Sequence, residues 1–297
     1  MNRYHKSVLV NEVLFYLNPQ PKGIYIDATF GGGGHTRAIL TKEPTCRVIA
    51  FDWDRVALEK HAAEIKEEFG ERITLLWGNF AQMQRLLKKE LNITQVDGIL
   101  ADFGTSQAQI FEKEGFSFAV DSFLDMRMSP AHQKMTAAYV INNASERELA
   151  TIFFEFGEER YSRKIARAIV EERKKHAIER TKHLADLIES VLGKRGHIHP
   201  ATKVFQALRI YVNKELDNIK MLLQQSLELL SEGGRLVCIS FHSLEDRLVK
   251  RFLVEHPCLV GNKGFEILTK NIVVATEEEI GENPSSRSAR LRAAQRC

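Results

Sequence analysis

The chain has 297 residues, 44% of them hydrophobic and 27% charged, which allows one large domain or two ordinary ones with a substantial core. No apolar stretch approaches the ~20 residues needed to cross a bilayer, and the polar, basic start from Met1 to Lys6 lacks a signal-peptide core, so neither a membrane-spanning helix nor a secretory leader is expected. The net charge of +3 decides little, and Cys46, Cys238, Cys258 and Cys297 show neither metal-type spacing nor a dense disulfide pattern, so the expectation is a cytosolic protein with reduced thiols.

A short amphipathic helix is expected at 10–17, followed by an apolar strand at 23–27. That strand runs into Ala28-Thr29-Phe30 and the glycines Gly31, Gly32, Gly33 and Gly34, and a helix follows over 35–41. Strand, glycine turn and helix N-terminus form the nucleotide-cradling corner of an α/β sheet, because glycine lets backbone approach a ligand. The spacing argues against a dinucleotide: taking Gly31 and Gly33 as the first pair puts Thr36 in the third glycine place, and Gly32 with Gly34 puts Arg37 there. Nor does His35-Thr36 supply the Lys-Ser/Thr of a phosphate loop. An adenosine without phosphates fits better, with S-adenosylmethionine the obvious ligand; a turn without a ligand is the alternative.

A second strand over 47–52 ends at Asp52, roughly 20 residues past the glycine turn, where a carboxylate accepts hydrogen bonds from ribose hydroxyls. Asp54 ranks second, and either residue would also serve as N-cap of the helix expected over 55–69. The third strand, 73–77, leads to Gly78-Asn79-Phe80, where Phe80 either packs on an adenine face or belongs to the core. After a helix over 80–90, the fourth strand (98–102) ends at Asp102, bordering the crevice where a transferred group meets its acceptor, with Gln109 one turn farther. Capping of the next turn is the alternative for Asp102. Asp102-Phe103-Gly104-Thr105 does not match the Asp/Asn-Pro-Pro-Tyr/Phe run common among enzymes that methylate DNA amines.

From 111 to 200 the chain turns polar and helical. Ser145 with Glu148 reads as a capping box, Thr181 as the cap of another helix, and Val204 through Leu230 as one long amphipathic helix closed by Gly233-Gly234. A fifth strand is expected over 235–241. This gives a mostly parallel α/β sheet domain over 1–110 and 201–297, with an inserted helical domain over 111–200. Basic residues cluster at Arg160, Arg163, Lys164, Arg167, Arg173, Lys174, Lys175, Arg180 and Lys182, and in a tail of Arg287, Arg290, Arg292 and Arg296. Phosphate binding and a solvated face are the two readings. His197 and His199 lack Cys or carboxylate partners at metal spacing and read as turn histidines.

Ordered blocks extend from His5-Lys6-Ser7-Val8-Leu9 almost to the end of the chain. They include Tyr25-Ile26-Asp27-Ala28-Thr29-Phe30-Gly31, Gly33-Gly34-His35, Gly115-Phe116-Ser117-Phe118, Leu124-Asp125-Met126-Arg127-Met128, His199-Pro200-Ala201-Thr202, Ser240-Phe241-His242-Ser243-Leu244-Glu245-Asp246-Arg247 and Glu282-Asn283-Pro284. Through these the chain resembles the small-subunit ribosomal RNA methyltransferase H family, also called MraW. The resemblance implies a class I S-adenosylmethionine-dependent methyltransferase fold with an inserted helical domain. It also implies methylation of the N4 amino group of a cytidine in 16S rRNA at the decoding centre. Its cofactor contacts fall here on Gly33, Gly34, His35, Asp52, Phe80, Asp102 and Gln109; His35 is the one that position alone did not suggest. The family's Ser-Ser-Pro-Gln is Ser106-Gln107-Ala108-Gln109 here, and loss of the proline loosens the turn that aims Gln109. Asp102 is the catalytic candidate, able to stabilise charge on the attacking amine. Arg127, Arg160, His242, Arg247 and the terminal arginines are candidates for holding RNA, with helix-surface pairing as the alternative for Arg160 and Arg247. The partner implied is 16S rRNA within the small subunit, with neither DNA nor membrane, in the cytoplasm. The competing class is a methyltransferase-like RNA-binding or scaffold protein without turnover, and a NAD-dependent oxidoreductase is disfavoured by the glycine spacing.

Overall fold

A computed structural model describes residues 6–104, 113–193 and 199–297. The expected strands form, as β1 (Ile24–Asp27), β2 (Arg47–Asp52), β3 (Ile73–Trp77), β4 (Val96–Asp102) and β5 (Leu230–Ser240), and β6 (Phe265–Ile267) and β7 (Arg290–Arg296) join them. They make one sheet in the order β3-β2-β1-β4-β5-β7-β6. The first five strands pair in parallel, and β7 lies antiparallel between β5 and β6. This is the sheet of the class I methyltransferases, with the reversal of strand order at β1 and β4 placing a crevice at their C-terminal ends.

Burial on both faces explains the near-continuous apolar runs of the parallel strands. Alternate residues serve different cores: Tyr25, Val48, Ala50, Leu100 and Val237 face one, while Ile26, Ile49, Phe51, Ile99 and Leu236 face the other. The first core is covered by α1 (Val10–Leu17), α2 (Gly34–Lys42) and α3 (Arg55–Phe69). On the second face the helix expected over 80–90 is broken. A 3-10 turn at Phe80–Gln82, started by Asn79 Oδ1 accepting from Ala81 N at 2.8 Å, precedes α4 (Met83–Leu86), and a wide π turn (Leu87–Leu91) ends at left-handed Asn92.

The chain divides into two compact units, Met1–Gly104 with Leu216–Cys297, and Thr105–Glu215. The second contains α5 (Ala137–Asn143), α6 (Glu146–Gly157), α7 (Ser162–Arg173), α8 (Thr181–Leu192) and α9 (Thr202–Asn213) around its own core of Leu149, Phe153, Ile165, Leu184, Val204 and Leu208. The Ser145–Glu148 capping box forms as expected. A Cβ on Gly157 would stand 2.5 Å from the Lys203 carbonyl oxygen, so α6 and α9 approach closely through glycine. Thr181 is not a cap: Arg180 takes that place, and the buried Thr181 hydroxyl accepts from Ser122 N at 3.0 Å.

The long helix expected from Val204 to Leu230 is two helices. Lys214 adopts the left-handed conformation (φ 52°) and separates α9 from α10 (Glu215–Leu229). Gly233 and Gly234 lie inside β5 rather than capping a helix. The sheet unit is completed by α11 (Ser243–Glu255) and α12 (Glu277–Glu282).

Two expectations about the end of the chain fail. Of the arginine tail, Arg290, Arg292 and Arg296 lie in β7, a sheet strand, and Arg287 in the 3-10 turn before it: Arg292 pairs with Asp246 at 2.6 Å, and buried Arg296 donates to the Leu227 carbonyl oxygen at 3.2 Å. Four reduced thiols are not found either, since Cys258 is disulfide-bonded to Cys297 across a Cα separation of 5.9 Å. The antiparallel register Phe265↔Arg296 brings these distant residues side by side. Cys46 and Cys238 remain free and buried. No helix of the described residues is long and apolar enough to cross a membrane.

Candidate active site

The glycine turn is held from both sides. Phe30 N donates to Phe51 O at 2.8 Å, and Gly31 N donates to Asp52 Oδ2 at 2.8 Å, so the turn after β1 is laced to the end of β2. Gly31 (φ 52°) and Gly33 (φ 75°) occupy left-handed backbone, Gly33 as N-cap of α2. A Cβ on Gly33 would lie 2.9 Å from the Phe30 ring and one on Gly34 would collide with the Ser7 side chain, whereas at Gly31 nothing but the Thr29 carbonyl oxygen, at 3.9 Å, comes near. The turn is therefore open on its Gly31 side and packed on its Gly33 and Gly34 side.

Asp52 and Asp54 take different work. Asp54 Oδ1 accepts from Val56 N and caps α3. Asp52 receives the Gly31 and Asp54 N–H groups, one on each oxygen, and retains lone pairs for further donors. Burial pushes its carboxyl up to about 6, with those two N–H groups opposing the shift. The end of β3 is tied to the same residue, Gly78 N donating to Asp52 O at 2.9 Å. Phe80 follows, half-buried, its ring 6.2 Å from Phe103 and packed on the second core.

A second acidic cluster lies at the ends of β1 and β4. Asp27 is fully buried and accepts from Thr36 Oγ1 at 2.7 Å and Thr29 N at 3.1 Å. Burial raises its pKa, while His35 and the hydrogen bonds pull the other way. Thr29 also accepts the Asp102 N–H at 2.8 Å through its hydroxyl. His35, 4% exposed, places Nε2 3.5 Å from Asp102 Oδ2. Burial acts to lower the His35 pKa, but the Asp102 carboxylate, helped by Asp27 and Glu279, outweighs it and the imidazole stands above its ordinary value. Neither ring nitrogen of His35, nor Asp102 Oδ1, has a hydrogen-bond partner among the described residues. A buried polar atom without a partner costs about 1–3 kcal/mol, so such atoms at a crevice mark a place built for a polar ligand.

The donor set fits an adenosyl sulfonium. The backbone of the turn can approach a ligand, Asp52 can accept from a ribose, and Asp27, Asp52 and Asp102 make a setting that favours a cation and disfavours phosphates. The structure thus brings His35 and Asp102 together at one strand end, and Gly33, Gly34 and Asp52 around the adjoining turn. Phe80 stands beyond β3. Gln109 and His197 lie outside the described residues. Asp27, Thr29 and Thr36 escaped the sequence reading, although a carboxylate closing the apolar run Ile24-Tyr25-Ile26 was the signal that could have found them.

The other candidates divide. Arg127 is engaged internally, donating from Nε and Nη2 to Asp125 at 2.7 and 2.8 Å and from Nη1 to the Gln133 carbonyl oxygen. His242 caps α11, with Nε2 3.2 Å from Glu245 Oε1. His199 sits in the turn before α9, Nδ1 accepting from Ala201 N. In the helical unit Lys174, Lys175 and Arg180 pair with Glu171, Glu172 and Asp121, Arg167 pairs with Glu146 at 3.7 Å and Lys164 donates to the Val191 carbonyl oxygen at 2.7 Å; all of these basic side chains, with Arg160 and Arg163, are exposed. Arg247 and Arg287 are exposed as well.

Comparison with known proteins points one way. Three relatives carry the name ribosomal RNA small subunit methyltransferase H. That of Endomicrobium trichonymphae is 46% identical over 295 residues, covering 99% of both chains. That of Syntrophotalea carbinolica is 47% identical and covers 98% of both. That of a Cyanothece species is also 47% identical, over 98% of this chain and 94% of its own. The family model described as the MraW methylase family matches residues 2–297. With the sheet order, the laced glycine turn and that match over nearly its whole length, the chain belongs to the MraW methylase family.

Proposed function

We propose that the chain transfers a methyl group from S-adenosylmethionine to the N4 amino group of a cytidine in 16S rRNA, at the decoding centre of the small ribosomal subunit. The observation that carries this reading is the pairing of two strand ends: Asp52 hydrogen-bonded to the glycine turn, and Asp102 nearby with a buried, unpartnered carboxylate oxygen. The relatives' shared name supports small-subunit rRNA as the substrate. The N4 atom and the nucleotide follow from the family resemblance.

When bound, S-adenosylmethionine supplies a methyl group already activated on a sulfonium. The chain's own residues bind and align. Asp52 accepts the ribose hydroxyls, Gly33, Gly34 and His35 line the turn, Phe80 offers its exposed edge to the adenine, and Gln109 completes the set. The cytosine amine is a weak nucleophile because its lone pair is delocalised into the ring, so the rate gain comes chiefly from holding it in line with the methyl carbon. As nitrogen attacks it gains positive charge, and Asp102 stabilises that charge by accepting an N–H hydrogen bond. The target base leaves its stack to enter. The helical unit, through its exposed Arg160, Arg163, Lys164 and Arg167, is assigned to the RNA backbone. Neither DNA nor membrane enters this scheme, and a ribosomal substrate places the protein in the cytoplasm.

The test is calorimetry with S-adenosylmethionine, then transfer of labelled methyl to small subunits with the modified nucleotide mapped. Binding followed by label on one cytidine amine is the expected result. Label on another atom refutes the N4 assignment, and absence of cofactor binding refutes the reading as a whole. In Asp102→Asn, turnover falls while cofactor affinity, measured separately, changes much less; unchanged turnover removes Asp102 from the chemistry.

A further inference from the structure

We propose that His35 is a positioning residue: its imidazolium, buried at the N-terminus of α2, holds the Asp102 carboxylate by Oδ2 and so reserves Oδ1 for the acceptor amine. The inference rests on the methyl-transfer reading only for the identity of that amine. Its geometric basis is independent of any ligand.

Three observations converge. Asp27 and Asp102 close neighbouring strands, and His35 is the basic side chain set against them, 96% removed from solvent, with Nε2 3.5 Å from Asp102 Oδ2. A neutral imidazole presents a lone pair from one ring nitrogen, which would point an acceptor into a pocket already lined by carboxylate oxygens. The doubly protonated ring presents two donors and no acceptor, which matches a surrounding of carboxylates. Finally, Asp27 already receives Thr36 Oγ1 and Thr29 N, whereas Oδ1 of Asp102 receives nothing among the described residues. Of the two acids, Asp102 is therefore the one with an oxygen that accepts nothing from the chain.

The groups facing His35 are Asp27 on β1, Asp102 on β4 and Glu279 on α12, all acidic; Glu279 is further anchored by accepting from Leu9 N at 2.8 Å. Their sum favours the protonated ring against both burial and the unfavourable helix N-terminus. Deprotonation would release Asp102 from its anchor and bring two carboxylates into the same pocket without a counter-charge. Turnover should therefore fall at alkaline pH as His35 loses its proton.

The experiment begins on the ligand-free protein, with ¹⁵N-imidazole NMR of His35. Both nitrogens should carry protons at neutral pH, with a transition above the ordinary histidine value of ~6.5, and that transition should drop in Asp102→Asn. In His35→Asn, and in His35→Gln as a second variant, kcat measured at saturating cofactor should fall roughly ten- to hundredfold, and the alkaline decline of rate should vanish. A side chain that merely fills space would lower melting temperature and rate but leave the alkaline decline in place. A singly protonated His35 between pH 6 and 7, a transition indifferent to Asp102→Asn, or an alkaline decline that survives in both variants overturns the proposal. Should the protein transfer no methyl group, the NMR result still decides whether His35 and Asp102 are paired.

Discussion

Proton linkage at Asp52 gives a sharp expectation for ligand binding. Its carboxyl is pushed up to about 6 by burial, and ribose hydroxyls, as donors, prefer the ionised form. At pH 5 about one molecule in eleven carries Asp52 ionised, against nearly all at pH 8, so affinity for S-adenosylmethionine or its demethylated product should weaken about tenfold between these values. The ligand's α-carboxyl (about 3.5) and α-amino group (about 8) change little between pH 5 and 7, which isolates the protein's contribution. Asp52→Asn should bind roughly ten- to hundredfold more weakly at pH 8 and lose the dependence between pH 5 and 7. Without ligand the sign reverses. The folded protein binds this proton more tightly than the unfolded chain, so the contribution of Asp52 to stability is fully present at or below pH 4 and is lost, by up to about 3 kcal/mol, as pH rises through about 6. Calorimetric titrations at half-unit pH intervals, with thermal melts at the same points, test both halves. A flat affinity from pH 5 to 8, or a slope that persists in Asp52→Asn, would refute the reasoning.

Gly33→Ala forces a side chain into left-handed backbone 2.9 Å from the Phe30 ring; a loss of about 1–2 kcal/mol in denaturant melts with a drop in cofactor affinity is expected, and an unchanged midpoint would contradict the strained cap. Arg292→Ala should destabilise the protein by about 1–3 kcal/mol by leaving Asp246 only its longer contact with Arg290, with little change in the salt dependence of RNA binding, since Arg292 belongs to the sheet. By contrast, Arg163→Ala with Arg167→Ala should leave the melt unchanged and flatten the salt dependence of RNA affinity by about two counterions. Cys258→Ser opens the link across 39 residues; a loss of about 2–4 kcal/mol is expected, matched by reductant on the wild type and absent when reductant is added to the variant.

The sheet core was readable because parallel strands buried on both faces announce themselves as apolar runs, and because a glycine turn and Asp52 stand at fixed offsets from them. Where a single residue decides, periodicity is blind. Lys214 turns left-handed and splits an apolar pattern that continues across it, a conformation lysine side-chain chemistry does not advertise. Strand β7 was hidden for a different reason: its arginines suggested a solvated tail, yet Arg292 is neutralised by Asp246 on α11 and Arg296 by a carbonyl on α10, partners that only tertiary structure supplies. The Cys258–Cys297 link depends on that same strand pairing, so missing the strand meant missing the bond. At the site, Asp52 and Asp102 were legible as strand-closing acids, whereas the role of Asp27 and the tie between the β1 turn and Asp102 depend on Thr36 and Thr29, whose hydroxyls look like ordinary turn residues until their distances are known.

Strands β4 and β5 are hydrogen-bonded neighbours, yet the whole of residues 105–215 is threaded between them in the chain. Closing a loop of that length, instead of a typical crossover of about 30 residues, adds only about 1 kcal/mol of chain entropy, so equilibrium is scarcely affected. Speed is another matter, because contacts so remote in sequence assemble late. The expected order of events is an early nucleus from β1 to β4, separate collapse of the helices around Phe153 and Leu184, and late docking of β5. A newly made chain would thus pass through a stage in which Asp102 already closes an edge strand, with the half of the sheet beyond it still unformed.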